Sequence, residues 1–235
     1  MIKAVIFDLD NTLYDYDENH AVAMKALNKV GSDIFDVTEE QFAAAYEEAK
    51  AAVKKHMSQE SAAQHSRVLY AQKVAETFGK NVIRAVPRLY DAYWNTFLEN
   101  MRPYDGAGEF LQKLKDKGIS TAVCTDMTAH IQYRKLVKLG FADLINAMVT
   151  SEEAETEKPS PVMFHLALDK VAARPDETIY IGDAVKKDVK GALNAGITPV
   201  WFTAQREIDE TKAPTGIVRI KDYFDKRLTT MCGVE

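Results

Sequence analysis

Cysteine is scarce in this chain: only Cys124 and Cys232 among 235 residues. Two thiols at that spacing form neither a disulfide framework nor a Cys-x-x-Cys knuckle, and they suit a reducing compartment, so a cytoplasmic protein is expected. The five histidines show no zinc spacing. No apolar run approaches the length of a membrane span, and no signal peptide is expected ahead of the first strand. Internal repeats and low-complexity tracts are missing. So is a basic excess: the net charge is −5, which removes the electrostatic case for a nucleic-acid partner or an anionic membrane. With 46% hydrophobic and 28% charged residues, the composition is that of a globular chain with a core of one large domain or two modest ones.

The most informative stretch that is present runs from Lys3 to Leu13. Ala4-Val5-Ile6-Phe7 has the β-branched, uniformly apolar character of a strand buried on both faces. It ends in two acids at i, i+2, Asp8 and Asp10. Acids that end a buried strand are costly unless they meet a cation or a positive side chain. In an open α/β sheet the carboxyl ends of strands are where ligands sit. Asp-Asn after a strand is also ordinary turn chemistry, so this stretch alone leaves both readings open.

From Tyr16 to Met101 the period changes to that of helices. Ala23, Met24 and Leu27 mark one helix; Thr38-Glu39-Glu40-Gln41 reads as a capping box ahead of Phe42, Tyr46, Ala49 and Val53 on one face. Tyr70, Val74 and Phe78 form a further stripe stopping at Gly79, and Leu89, Tyr93 and Phe97 another with Pro87 near its start. Such aromatic stripes are most simply contacts between helices. After Arg102 an alternation sets in, with strands expected over Ile119–Cys124, Leu144–Val149, Thr178–Ile181, Ile197–Phe202 and Ile217–Ile220. The intervening helices are expected over Gly108–Lys117, Thr128–Leu139, Ser160–Val171 and Lys186–Ala195, with a final one over Asp222–Leu228. That alternation predicts an α/β fold with a doubly wound, parallel, Rossmann-like sheet. The expected domains are a split core, 1–15 and 102–235, and an inserted α-helical cap, 16–101.

Polar residues recur just after these strands: Thr125-Asp126, Lys158-Pro159, and Gly182-Asp183 with Asp188 five residues on. Several acids without a neutral ligand suit a hard cation such as Mg²⁺, and a lone lysine beside them suits phosphate or the acids themselves. In their order, Asp8-Leu9-Asp10-Asn11-Thr12, Thr125, Lys158-Pro159 and Gly182-Asp183 with Asp188 resemble the four motifs of the haloacid dehalogenase superfamily, phosphatase branch, with a helical cap between the first and second.

The resemblance implies an Mg²⁺-dependent phosphomonoesterase for small phosphorylated metabolites such as sugar phosphates, nucleotides or phospho-acids. It implies Asp8 as the nucleophile that forms an aspartyl-phosphate and Asp10 as the acid and then the base. Mg²⁺ would be held by Asp8, the Asp10 backbone carbonyl and Asp183, while Thr125 and Lys158 would bind the phosphoryl group. Asp188 would orient Lys158 or a metal-bound water, or else be a solvated acid in a first helical turn. Asp126 departs from the Asn that many relatives carry; a carboxylate there repels phosphate unless it turns away or bonds to a backbone N–H. The second acid, Asp10, argues for phosphate over halide as the leaving chemistry. A sugar-phosphate mutase is the closer rival, with His20 as its possible cap residue, and a non-catalytic phosphate-binding relative is a third reading. The cap is expected to choose the substrate. Candidates there are Tyr14, Asp15 and His20 near the hinge and His56, Ser58, Gln59, His65, Ser66 and Arg67 at a polar junction, with Arg67 offering bidentate recognition of an anionic leaving group. His130 and His165 are expected to be packing or surface residues.

Overall fold

The structure, a computed structural model, describes residues 1–57, 61–204, 206, 209, 211 and 213–234. Ser58 and Gln59 therefore lie outside the described residues, as does part of the segment that follows Ala204. The chain divides into two compact units, Met1–Asp15 with Arg102–Glu235, and Tyr16–Met101. Among the described residues no helix is long and apolar enough to cross a membrane.

The first unit is built on strand β1 (Ala4–Phe7), whose four residues have no exposed surface at all. It pairs in parallel with β2 (Ser120–Thr125) on one edge and with β4 (Thr178–Gly182) on the other. β3 (Ala147–Thr150), β5 (Thr198–Phe202) and β6 (Val218–Ile220) complete the parallel order β3-β2-β1-β4-β5-β6. Alternation along β1 decides what each face buries. Ala4 and Ile6 join Met163, Phe164 and Ala167 of helix α8 (Pro161–Val171) and Ala192 of α9 (Lys190–Asn194). On the other face Phe7 meets Phe110 of α5 (Ala107–Asp116) edge-on, ring centroids 6.2 Å apart, and Tyr223 at 6.4 Å. Helices on both faces make this the doubly wound sheet that the sequence alternation predicts. The chain order reverses beside β1, between β2 and β4, so the crevice at the carboxyl end of β1 is the expected ligand position.

Several boundaries differ from the sequence expectation for identifiable reasons. β3 begins at Ala147 rather than Leu144, because the Asn146 side chain itself accepts the Thr121 N–H at 2.8 Å in place of a ladder carbonyl. The expected helix Lys186–Ala195 is a π-helical turn, Val185–Val189, followed by the short α9. The last helix, α10, spans Lys226–Cys232: Asp225 caps it by accepting from Arg227 N, while Asp222 instead closes a turn on Phe224 N. A short α7 (Ser151–Ala154), capped by Thr150, and α6 (Ala129–Lys138) complete the unit. Where the first unit is interrupted, its two broken ends are stitched together: Tyr104 N donates to Leu13 O at 2.9 Å, and Tyr14 and Pro103 form an antiparallel bridge.

Among its described residues the second unit holds four α-helices, α1 (Tyr16–Phe35), α2 (Glu39–His56), α3 (Arg67–Thr77) and α4 (Val82–Asn100), and a 3-10 turn, Ala62–His65. The expected capping box opens α2, with Thr38 and Gln41 exchanging side-chain and backbone bonds. α4 starts earlier than Pro87 suggests, because Asn81 caps it from Arg84 N. The stripes meet as aromatic stacks: Phe35 lies on Phe78 at 4.8 Å, and Phe42 stacks on Phe35 at 5.9 Å.

Gly31 of α1 faces this stack so closely that a Cβ would sit 2.3 Å from the Phe42 ring. Ala normally gains about 1 kcal/mol over Gly inside a helix. Forcing a methyl into a filled core costs roughly 1–3 kcal/mol, and Phe42 is held between other rings. Gly31→Ala should therefore lower the thermal unfolding midpoint and speed amide exchange in α1 and α2; a raised midpoint would show that the stack yields freely.

Candidate active site

Asp8 follows β1 directly, and its N–H continues the ladder to Ile181 O at 2.8 Å, so the strand fixes where its carboxylate emerges. Oδ1 accepts from Lys158 Nζ at 2.5 Å and Oδ2 from the Thr12 hydroxyl at 3.1 Å. The Lys158 ammonium spends its three protons on Asp8, on Asp188 Oδ1 at 2.7 Å and on the Tyr180 hydroxyl at 3.2 Å. Asp8, Lys158 and Asp188 are all buried. Asp188 is therefore no solvated helix acid: the π-helical turn, closed by Val189 N on Ala184 O, aims it inward, where its Oδ2 also accepts from Ala184 N at 2.9 Å. Gly182 makes room, since a Cβ there would lie 2.5 Å from the Asp188 side chain.

Asn11 adopts a left-handed φ of 64°, which Asn tolerates well, in the turn that follows Asp10. Asp10 Oδ1 accepts from Lys135 Nζ at 2.7 Å and from the Tyr14 hydroxyl. Thr125 ends β2, and its hydroxyl oxygen accepts from Gln132 Nε2 at 2.7 Å, which leaves the hydroxyl proton available to another acceptor. Asp126 resolves its own conflict. It accepts the Lys158 backbone N–H at 2.9 Å through Oδ1 and the Lys187 ammonium at 2.7 Å through Oδ2. The carboxylate that would repel an anion instead holds the loop that carries Lys158.

Asp183 lies one residue beyond β4, beside Asp8 across the strand pair; Arg206 Nη1 donates to its Oδ2 at 3.0 Å and reaches Asn11 O through Nη2 at 2.6 Å. Carboxylate oxygens of Asp8, Asp183 and Asp188 lie within 4.8 Å of one another. Burial pushes the Asp8 carboxyl well up despite Lys158, and burial together with Asp188 pushes Asp183 up to about 6. Crowded acids with oxygen donors only, held at strained protonation, fit a hard divalent cation. Flanked by Asp8 and Asp188, Lys158 stays protonated, its pKa raised against the opposing effect of burial.

The residues that the motifs did not disclose are Lys135, Gln132, Tyr180, Lys187 and Arg206. One signal was available for the first two: α6 buries Ile131, Gln132, Lys135 and Leu136 as a single stripe, and two polar residues within an apolar stripe point at something polar. The candidates of the helical unit form a separate group. His20 stacks on Tyr16 at 5.4 Å with Nδ1 2.6 Å from the Tyr93 hydroxyl; burial, then Arg67, pushes its imidazole down to about 4, so it is neutral at pH 7. Arg67 donates to Tyr16 Oη at 2.6 Å and to the His65 carbonyl at 2.9 Å, with its guanidinium over the rings of Tyr93 and Trp94. Ser66 caps α3, His56 is exposed at the end of α2, and Asp15 is half-buried. His130 and His165 are exposed helix residues of the first unit.

Comparisons with known proteins bear on the family. Residues 5–202 match the family model described as haloacid dehalogenase-like hydrolase. The chain is 37% identical to the ribulose-1,5-bisphosphate 5-phosphatase of Halopiger xanaduensis, over 91% of this chain and 90% of that one. It is 33% identical to the glyceraldehyde 3-phosphate phosphatase of Methanopyrus kandleri, over 85% and 83% of the two chains. The solved structure of a HAD phosphatase from Thermococcus onnurineus shares the fold with a TM-score of 0.76 at 19% identity, covering 100% of this chain and 99% of that one. A family match spanning the strands that bear Asp8, Thr125 and Asp183, with phosphatase relatives along most of the length, means that this chain belongs to the haloacid dehalogenase-like hydrolases.

Proposed function

We propose that the chain is an Mg²⁺-dependent phosphomonoesterase that acts on small phosphorylated metabolites, sugar phosphates foremost, through an aspartyl-phosphate on Asp8. The observation that carries this reading is Lys158 Nζ at 2.5 Å from Asp8 Oδ1 and 2.7 Å from Asp188, a buried cation placed where an anionic carboxylate must approach an anionic phosphate. Sugar phosphates are favoured because the relatives at 37% and 33% identity are named for a pentulose bisphosphate and a triose phosphate.

In the first half-reaction an Asp8 oxygen bonds to phosphorus as the ester P–O bond breaks, and Asp10 gives a proton to the departing alcohol. In the second, Asp10 takes a proton from water as the water oxygen bonds to phosphorus and the Asp8–phosphate bond breaks. Acid–base assistance of this kind is typically worth ~10²–10⁴ in rate. Lys158 balances charge on nucleophile and phosphoryl group, Thr125 donates its free proton to a phosphoryl oxygen, and Asp188 with Tyr180 holds Lys158 in place. Asp8, the Asp10 backbone carbonyl and Asp183 would hold Mg²⁺, which would supply further neutralisation of phosphate charge. The buried reduced thiols Cys124 and Cys232 support a cytoplasmic setting, and the net charge of −5 supports neither nucleic acid nor membrane as partner.

Two measurements test the reading. Phosphate release across a panel of phosphomonoesters should require Mg²⁺, rank sugar phosphates first and vanish in Asp8→Asn; no release from any ester by folded, metal-loaded protein would reject it. The metal should also compete with protons. Because Asp183 is pushed up to about 6, it is protonated below that pH and a cation must displace the proton. Half-saturating Mg²⁺ should thus rise as pH falls below 6, by about tenfold per unit for one displaced proton, with saturating Mg²⁺ recovering turnover. A flat Mg²⁺ requirement from pH 7 to 5 would remove Asp183 from the metal site.

A further inference from the structure

Asp10 has two oxygens, and the structure uses them unequally. Oδ1 accepts from both Lys135 Nζ, at 2.7 Å, and the Tyr14 hydroxyl, whereas Oδ2 accepts no hydrogen bond among the described residues. The lysine side chain is 0% exposed while that of Asp10 is 23% exposed, so a partly exposed acid is tied through one oxygen to a fully buried cation. Tyr14 is itself fully buried, and the ammonium lies 5.6 Å from the centre of its ring. A fully buried ammonium is expensive, and an apolar side chain would fill the same place without that cost. Its position on α6 instead delivers a cation to one chosen oxygen of Asp10.

We propose that Lys135 is a positioning residue for proton transfer: with Tyr14 it occupies Oδ1 and locks the Asp10 rotamer, so that Oδ2 alone carries the proton to and from the reacting oxygen. This inference rests on the phosphatase reading above and adds to it the atom that moves the proton and the side chain that aims it. Position matters because a misdirected acid forfeits its contribution only where the leaving group needs a proton. An alkyl phosphate expels a poor leaving group that must be protonated; para-nitrophenyl phosphate expels a stable phenolate that needs little help.

The test is kcat/KM, which reports phosphoryl transfer to Asp8, for glycerol phosphate and para-nitrophenyl phosphate in wild type, Lys135→Met, Tyr14→Phe, Asp10→Asn and the Lys135→Met/Asp10→Asn double variant. Lys135→Met should lower the alkyl ester at least roughly tenfold more than the aryl ester, and Tyr14→Phe should act in the same direction more weakly. In the Asp10→Asn background Lys135→Met should add less than about twofold, since a residue acting through Asp10 has nothing left to aim. Loss of folded protein lowers both esters equally, so the ratio separates positioning from stability, and Tyr14→Phe carries the test should Lys135→Met not fold. Equal losses on both esters, or a full Lys135→Met effect without Asp10, overturn the inference while leaving the phosphatase reading intact. A wild type inert towards both esters with Mg²⁺ present overturns that reading, and this inference with it.

Discussion

Everything at the carboxyl edge of the sheet depends on one shared ammonium, that of Lys158. Three acids are brought together there by three different pieces of chain: the end of β1, the end of β4 and an inward-turned helical turn. Without a central cation, Asp8 and Asp188 would face each other buried and unneutralised, a cost of several kcal/mol per ion. Lys158 meets both and still has a proton for Tyr180. Its own loop is then held from behind by Asp126, through the backbone, with Lys187 balancing that acid. Charges thus alternate from the crevice outward, and each is aimed by the one beneath it.

The fold was largely legible because its signals are local and repeated. A run such as Ala4–Phe7 that is apolar at every position has to be buried on both faces, and a parallel sheet with helices on each side is what buries it. The motif residues were legible for a related reason: Asp8, Thr125 and Asp183 sit at strand ends, where sequence position and spatial position coincide. Arg206 was not, because what matters about it is a partner 23 residues away that no periodicity encodes; for Lys135 the buried stripe of α6 signals a polar partner but not that it is Asp10, 125 residues away. Boundaries failed where a side chain took over a backbone role, as Asn146 does beside β3 and Asp225 does ahead of α10. In each case a polar side chain with two or more available roles left the local sequence ambiguous.

Asp126 shows how a departure from a family pattern can be absorbed without harm to the site. Read alone, an extra carboxylate beside a threonine proposed to bind phosphate is a liability. Turned by the chain beyond β2, the same group becomes an acceptor for an amide that would otherwise need one, and for a lysine on the neighbouring π-helical turn. Both carboxylate oxygens of Asp126 are thereby engaged, one by the Lys158 amide and the other by the Lys187 ammonium.

The stitch between Leu13–Tyr14 and Pro103–Tyr104 gives the interruption of the first unit a simple topology. The chain leaves and re-enters that unit at paired positions, so the 86 residues Tyr16–Met101 form one insertion whose ends are held together by the first unit's own backbone. A loop of fixed ends places no demand on what it contains. Helices there can be lengthened, exchanged or replaced by another module while the strand ends that carry Asp8, Thr125 and Asp183 keep their spacing. In this architecture the strand ends and the insertion are free to diverge at different rates.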